Sequence, residues 1–344
     1  MPVTFSEAPP ERTRAVVEFL CAVFGIKDLP PNLLPDAQAW KYFAPHPWSS
    51  AVRSYVLETE NGIAAHGCVA PVRFAAGDAI LDSMVIIDWA AGNQVPGAGL
   101  LVYRRCMEAQ KCSLLAVGGS SDTLRILPQV KWFHSKADLR WFARPMKPWR
   151  RFLRSGKTMR DWGKLLRNLS WEFFSSLPSS ENWTCRPARA DDPVFTPAGE
   201  FIPLLRTRAW IDYLRACPVA KCQLWILEQN GVARGHALTA NLEGSVRVAD
   251  FALAGHSTQD QTTNAFSALV RTLGDENDVL ELVAGSSLSQ DMRAFEACGL
   301  RYRRSTRVLL ADPRKTFPPE SLLEIKPMVG DSFYLYDPAN PFQL

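Results

Sequence analysis

Two Asn-Gly dipeptides, Asn61-Gly62 and Asn230-Gly231, each stand between two runs of alternating apolar character, 169 positions apart by their numbering. Asn-Gly supplies the two left-handed residues that the tightest hairpin turn needs, so each marks a β-hairpin. Tyr55 to Glu58 and Ile63 to Phe74 flank the first; Gln223 to Glu228 and Ala233 to Asn241 flank the second. The elements after each hairpin are also alike. Ile80 to Asp88 reads as a third strand, succeeded by a helix over 100–109 and a strand over 114–117. Val246 to Ala254, a helix over 261–273 and a strand over 279–283 repeat that order, and a helix over 288–298 and a strand over 302–310 complete it. A repeat this long is a whole domain rather than a solenoid unit. The expected fold class is therefore α+β, with two tandem domains, each a mixed, mostly antiparallel twisted sheet flanked by helices.

The boundaries come from composition shifts. A helix over 16–24 stops at Gly25, and a loop with Pro30, Pro31, Pro35, Pro45 and Pro47 separates it from the first hairpin. Past the strand at Leu114 to Val117, the piece from Ser120 to Phe133 reads as helix-like. We place the first domain at 1–150, a basic, Trp-containing connector at 151–190, the second domain at 191–315 and an irregular tail at 316–344. Phe333, Tyr334 and Tyr336 are expected to pack that tail back.

A formal charge of +4, from 39 basic and 35 acidic residues, is too slight to argue for nucleic acid. Local charge is less even. Arg140 to Arg167 is basic, with Trp141, Trp149 and Trp162 interleaved, and reads as a solvated amphipathic helix joining the domains. A membrane surface, an acidic glycan or nucleic acid are the partners that such a segment would otherwise suit. The eight cysteines show no CxxC spacing, so neither a zinc site nor a disulfide scaffold is expected. With no cleavage-type leader and no apolar run of about 18 residues, a cytoplasmic protein without a transmembrane segment is expected.

Chemistry concentrates after the third strand. Gln94-Val95-Pro96-Gly97-Ala98-Gly99 leads straight into the helix that begins near Leu100. Glycines there let the backbone pass close to a bulky anion, and the helix start adds its positive dipole end, which together suit a phosphate or pyrophosphate. Gln94, Gly97 and Gly99 match the signature of the GNAT acyltransferase superfamily (Gln or Arg, two residues, Gly, one residue, Gly or Ala), and the element order from about Ser54 to Arg144 resembles that family. The stretch from Leu224 to Leu310 resembles it more faintly. The resemblance implies two GNAT-like domains, the first with the donor loop and the second degenerate. It also implies acetyl-CoA or another acyl-CoA as co-substrate, lying between the splayed fourth and fifth strands. The amides of Val95, Gly97, Ala98, Gly99 and Leu100 would hold its pyrophosphate, and the main chain of Val85, Ile86 and Ile87 its pantetheine arm and acyl carbonyl.

The family's tyrosine general acid has no counterpart at the matching positions, which are Pro128 and Phe295. In the second half, Gly255 to Asp260 lacks the double glycine, so no donor is expected there. For the base that takes the acceptor's proton, Asp82 and Asp88 lie six apart on one strand, which would put both on one face, and Asp82 is favoured as lying back from the pyrophosphate. His66 is the second candidate, because imidazole titrates near neutrality. His46, His134 and Cys68 carry no supporting pattern. Asp250 corresponds roughly to these carboxylates but reads as a structural ion pair, and Arg104 and Arg105 could touch a nucleotide phosphate. The expected activity is transfer of an acyl group, acetyl above all, to an amine or hydroxyl of a small molecule, glycan or peptide, by a monomer or homodimer. A non-catalytic binding protein of the same fold and a Fem-type aminoacyl transferase are the alternatives.

Overall fold

The computed structural model describes residues 2–49, 52–119, 121–130, 133–154, 158–174 and 176–335. Along the chain it runs β1 (Thr4–Glu7), α1 (Thr13–Phe24), α2 (Pro35–Gln38) continuing into a π-helical turn at Ala39–Phe43, β2 (Ser54–Thr59), β3 (Gly62–Ala76), β4 (Ala79–Ala91), α3 (Ala98–Gln110), β5 (Ser113–Val117) and α4 (Ser121–Ile126). Next come β6 (Phe133–Pro145), α5 (Pro148–Arg154), α6 (Met159–Phe174), β7 (Trp183–Pro187) and α7 (Arg208–Arg215). The last part holds β8 (Lys221–Gln229), β9 (Val232–Leu242), β10 (Ser245–Leu253), α8 (Gln259–Asp275), β11 (Glu281–Ser286), α9 (Ser289–Ala297) and β12 (Arg301–Ala311).

All of these strands join one mixed sheet in the order β1-β2-β3-β4-β5-β12-β6-β11-β10-β9-β8-β7. Both Asn-Gly hairpins form as expected, with Asn230 and Gly231 each at positive φ. Among these strands parallel pairing is confined to β4 with β5 and β10 with β11, the two places where a helix crosses between neighbouring strands. The halves do not end where the repeat ends. β12 lies between β5 and β6, while β6 lies between β12 and β11, so each half inserts its last strand into the other.

β6 is the main departure from the sequence-based expectation. The helix-like piece is only α4 and a single turn at Leu127–Gln129, and Phe133 already opens the strand; Ser120 and Trp132 lie outside the described residues. Arg140, Trp141 and Arg144, expected in a solvated helix, are in this central strand. Its charges are accommodated by distant carbonyls: Lys136 Nζ donates to Pro318 O and Pro319 O, and the Arg144 guanidinium donates to Cys298 O.

Three packed clusters cover the sheet. On one face α3 buries Val102, Tyr103 and Cys106 against Met84 and Ile86. On the other, Val85 and Ile87 face Trp40, Tyr42, Trp210 and the tail residues Phe333 and Tyr334, which are buried as expected; Tyr336 lies outside the described residues. Trp225, Phe251, Phe266 and Phe295 centre the third cluster, around β10 and α8.

Candidate active site

β4 and β5 pair over only three residues, Ser83 with Ser113 through Val85 with Leu115. β4 then continues to Ala91 and β5 to Val117 without further pairing to each other, so the strands splay. A bulge sharpens the divergence. The β3 register jumps from Cys68 opposite Ile87 to His66 opposite Ala90, and Asp88 takes φ +48°.

The loop closes the splay at the start of α3, and its two glycines have different physical reasons. Gly97 caps the helix at φ +76°, a conformation that costs any residue with a Cβ about 1–2 kcal/mol. The space a side chain would occupy there is empty out to 4 Å. Gly99 is a packing glycine, since a Cβ would come within 3.3 Å of Ala91 Cβ and 3.5 Å of the Trp89 ring. Trp89 Nε1 donates to Gly99 O at 2.9 Å, which fastens the loop to the end of β4.

Ala98 N–H donates to Val95 O at 3.1 Å, so this amide closes the turn instead of pointing outward with its neighbours, contrary to expectation. Gly99 and Leu100 are in the first helical turn, where no carbonyl lies one turn back, and no side chain caps them. Gln94 to Leu100 line a cleft of about 820 Å³, walled by Phe19, Val23 and Phe24 of α1 and by Trp89.

The corresponding helix start in the second half is closed by its own side chains. Thr258 and Gln261 form a reciprocal capping box on α8, and Gln290 Nε2 donates to Ser257 O at 2.7 Å and to Thr262 Oγ1 at 2.6 Å. β10 and β11 also part after Val248 and Ala284.

The two expected bases are not brought to the cleft. Asp82 precedes the first β4–β5 pair; its side chain is 62% exposed and ion-paired to Arg73 at 2.6 Å. It is about 20 Å of extended strand from Asp88, and the bulge removes the strict alternation that would have put both on one face. His66 is fully buried. Its Nδ1 lies 2.8 Å from Asp88 O and its Nε2 3.0 Å from Ser54 Oγ, and burial pushes its pKa down to about 4, so both ring nitrogens are engaged in a neutral, structural histidine.

The remaining candidates resolve similarly. Burial raises the Cys68 thiol, which leaves it an unreactive core residue. His46 accepts from Trp48 N–H at 3.2 Å and is pushed down to about 3 by burial and by Arg53 and Arg73. His134 is exposed on β6. Arg104 and Arg105 both pair with Glu108 on the outer side of α3. Asp250 is fully buried; burial alone would raise it, but two hydrogen bonds from Arg206 and one from His236 hold it well below the usual carboxylate range. Arg206 also binds Glu324, completing a structural charge network.

Sequence reasoning weighed Asp88 but missed the group that surrounds it, on the face of β4 opposite α3. Asp88 accepts from Lys41 Nζ and, at 2.8 Å, from Tyr42 Oη. Arg53 donates to the carbonyls of Trp40, Lys41 and Ala44, the backbone groups that the π-helical turn presents, and so fixes Lys41 in place. A cavity of about 30 Å³ lies here, lined by Lys41, Val85, Ile87, Tyr213 and Tyr334 among others. The tail lies directly on β4: Gly330 has φ +90°, and a Cβ there would be 3.1 Å from Val85 Cγ1. Tyr334 Oη is buried with no hydrogen-bond partner among the described residues. Burial first, then the charge of Asp88, pushes the Asp331 carboxyl up to about 7. Besides the strand position of Asp88, the signal for these residues in the sequence was the aromatic pair Phe333-Tyr334, which announced packing but not a hydroxyl beside β4.

No family model and no curated sequence matches the chain. Solved structures do. A GCN5-related N-acetyltransferase from Anabaena variabilis is similar with a TM-score of 0.57 and 10% identity, covering 90% of this chain and 72% of that one. N-myristoyltransferase from Saccharomyces cerevisiae with bound myristoyl-CoA gives a TM-score of 0.57 and 11% identity, covering 90% of this chain and 84% of that one. A probable N-acyltransferase from Enterococcus faecalis gives 0.55 and 9%, covering 90% and 72%. With the splayed parallel pair and the glycine loop at the start of α3, these likenesses establish that the chain has the fold of the GNAT acyltransferases.

Proposed function

We propose that this protein is an acyl-CoA-dependent acyltransferase that moves an acyl group, acetyl in the first instance, from coenzyme A to an amine or hydroxyl by direct attack. The observation that carries this reading is the uncapped start of α3, opening with left-handed, sterically free Gly97 into the cleft beside the β4–β5 splay. Amides of Gly97, Gly99 and Leu100, with Val95 and Gln94 alongside, bind the pyrophosphate as main-chain donors at a helix N-terminus. Val85, the last β4 residue paired with β5, and Ile86 and Ile87 beyond it take the pantetheine arm and the acyl carbonyl. The protein works chiefly by positioning donor and acceptor together.

Proton handling falls to the tail rather than to Asp82 or His66. As the new C–N or C–O bond forms, Asp331 takes the acceptor's proton; as the C–S bond breaks, Tyr334 Oη donates to the sulfur. Burial raises the Tyr334 hydroxyl well above its ordinary value, so it keeps its proton until the departing sulfur takes it. The small cavity beside Val85 and Ile87 favours a short acyl group.

Calorimetry with acetyl-CoA tests the donor site: Gly97→Glu, which sets a carboxylate beside an anion, is expected to weaken binding at least about tenfold with the fold retained. Tyr334→Phe is expected to keep donor affinity and lose turnover. Donor binding untouched by Gly97→Glu would move the donor elsewhere, and donor binding without turnover on any amine or hydroxyl acceptor would favour a non-catalytic binding protein.

A further inference from the structure

The α5–α6 hairpin carries an apolar ridge that the fold leaves bare. Met159, Trp162, Leu166 and Leu169 recur at intervals of three and four, so they share one side of α6, and they are 86%, 44%, 66% and 38% exposed. Trp149 and Leu153 extend the ridge onto α5 at 52% and 54%. A solvated amphipathic helix turns only polar residues outward. Here the inward side is already satisfied: Leu165 and Trp171 are buried, Trp171 Nε1 donates to Gly299 O at 2.9 Å, and Arg301 and Arg303 stack on the Trp171 ring. The ridge is therefore a second apolar surface beyond what docking on the sheet requires.

Its surroundings are strongly basic. The described residues 148–154 and 158–174 hold Arg150, Arg151, Arg154, Arg160, Lys164 and Arg167 against Asp161 and Glu172, a net charge of +4, as large as that of the whole chain. All of the molecule's excess positive charge thus gathers around this exposed run of apolar side chains. Phosphate-backbone binding would use the cations and leave Met159, Leu166 and Leu169 in water. The headgroup region of an anionic bilayer uses both, taking the aliphatic ridge to the acyl boundary, tryptophans to the interface and Lys/Arg to the lipid phosphates and carboxylates. Among the described residues no helix is long and apolar enough to cross a membrane, so the hairpin would lie on the bilayer rather than span it.

We propose that α5 and α6 dock this protein onto the surface of an anionic lipid bilayer. Flotation of the full-length protein with phosphatidylcholine vesicles, with and without phosphatidylserine, tests it. Binding is expected with the anionic vesicles and at least about tenfold weaker with the neutral ones. Raising salt from about 0.1 M to about 1 M, which shortens the screening length from about 10 Å to about 3 Å, should release it similarly. Leu166→Glu alone, and Arg154→Glu with Arg160→Glu, are each expected to reduce the bound fraction about tenfold without changing the thermal melt, since all three positions are exposed. No flotation with anionic vesicles would overturn the proposal, as would binding that both variants leave intact. A stable dimer dissociated by Leu166→Glu, with no vesicle binding, would overturn it too and assign the ridge to a second copy.

Discussion

The folded-state value of about 7 for Asp331 lies above that of an unfolded carboxyl, so the protonated form is favoured in the native protein. The associated stabilisation is complete below about pH 4 and is lost as pH rises through about 7. Asp331→Asn should flatten the decline in the urea midpoint between about pH 5 and about pH 8. Turnover should show the opposite trend, rising as the carboxylate appears, and should vanish in the same variant; a wild-type rate that stays level across that interval would remove Asp331 as the base. His66 acts in the other sense on stability, since its pKa is lowered to about 4 and the native state loses ground as pH falls from about 6.5 toward that value.

At the scale of elements, the parts that local chemistry specifies were legible. Asn-Gly turns marked both hairpins, Gly25 at φ +64° ended α1, and the Gly97–Gly99 spacing located the start of α3 within two residues. β6 was not legible, because Lys136 and Arg144 look like surface residues until Pro318, Pro319 and Cys298 bring carbonyls from elsewhere in the chain. The site divides in the same way. The glycine turn at the start of α3 is a local backbone property and its geometry could be read, whereas Tyr334 joins Lys41 beside β4 only after the tail has packed across that strand. The junction of loop and strand offers a further check. Gly99→Val should force Trp89 and Ala91 apart and weaken acetyl-CoA binding, while Gly97→Ala, with space for a methyl group, should cost only about 1 kcal/mol of stability from its left-handed backbone. Equal effects of the two substitutions in calorimetry and urea titration would contradict these separate roles.

For the whole molecule, the exchange of β6 and β12 decides how the halves depend on one another. Without residues 301–311, β5 and β6 have no neighbour between them, and without β6 the sheet is interrupted between β12 and β11. Calorimetry should therefore show one cooperative transition, and residues 1–150 expressed alone should fail to give a folded monomer. Two well-separated transitions would mean that the inserted strands contribute little to either half.

β12 has a further consequence, because it is a tie rod between two distant places. Arg301 and Arg303 at one end lie on Trp171 of α6, while Val308 and Leu309 toward the other pair with Val117 and Ala116, on the strand that splays from β4. About 20 Å of extended peptide separates them. Any load that the hairpin takes up at a surface is carried along that single strand to the flank of β5, with no intervening loop to absorb it.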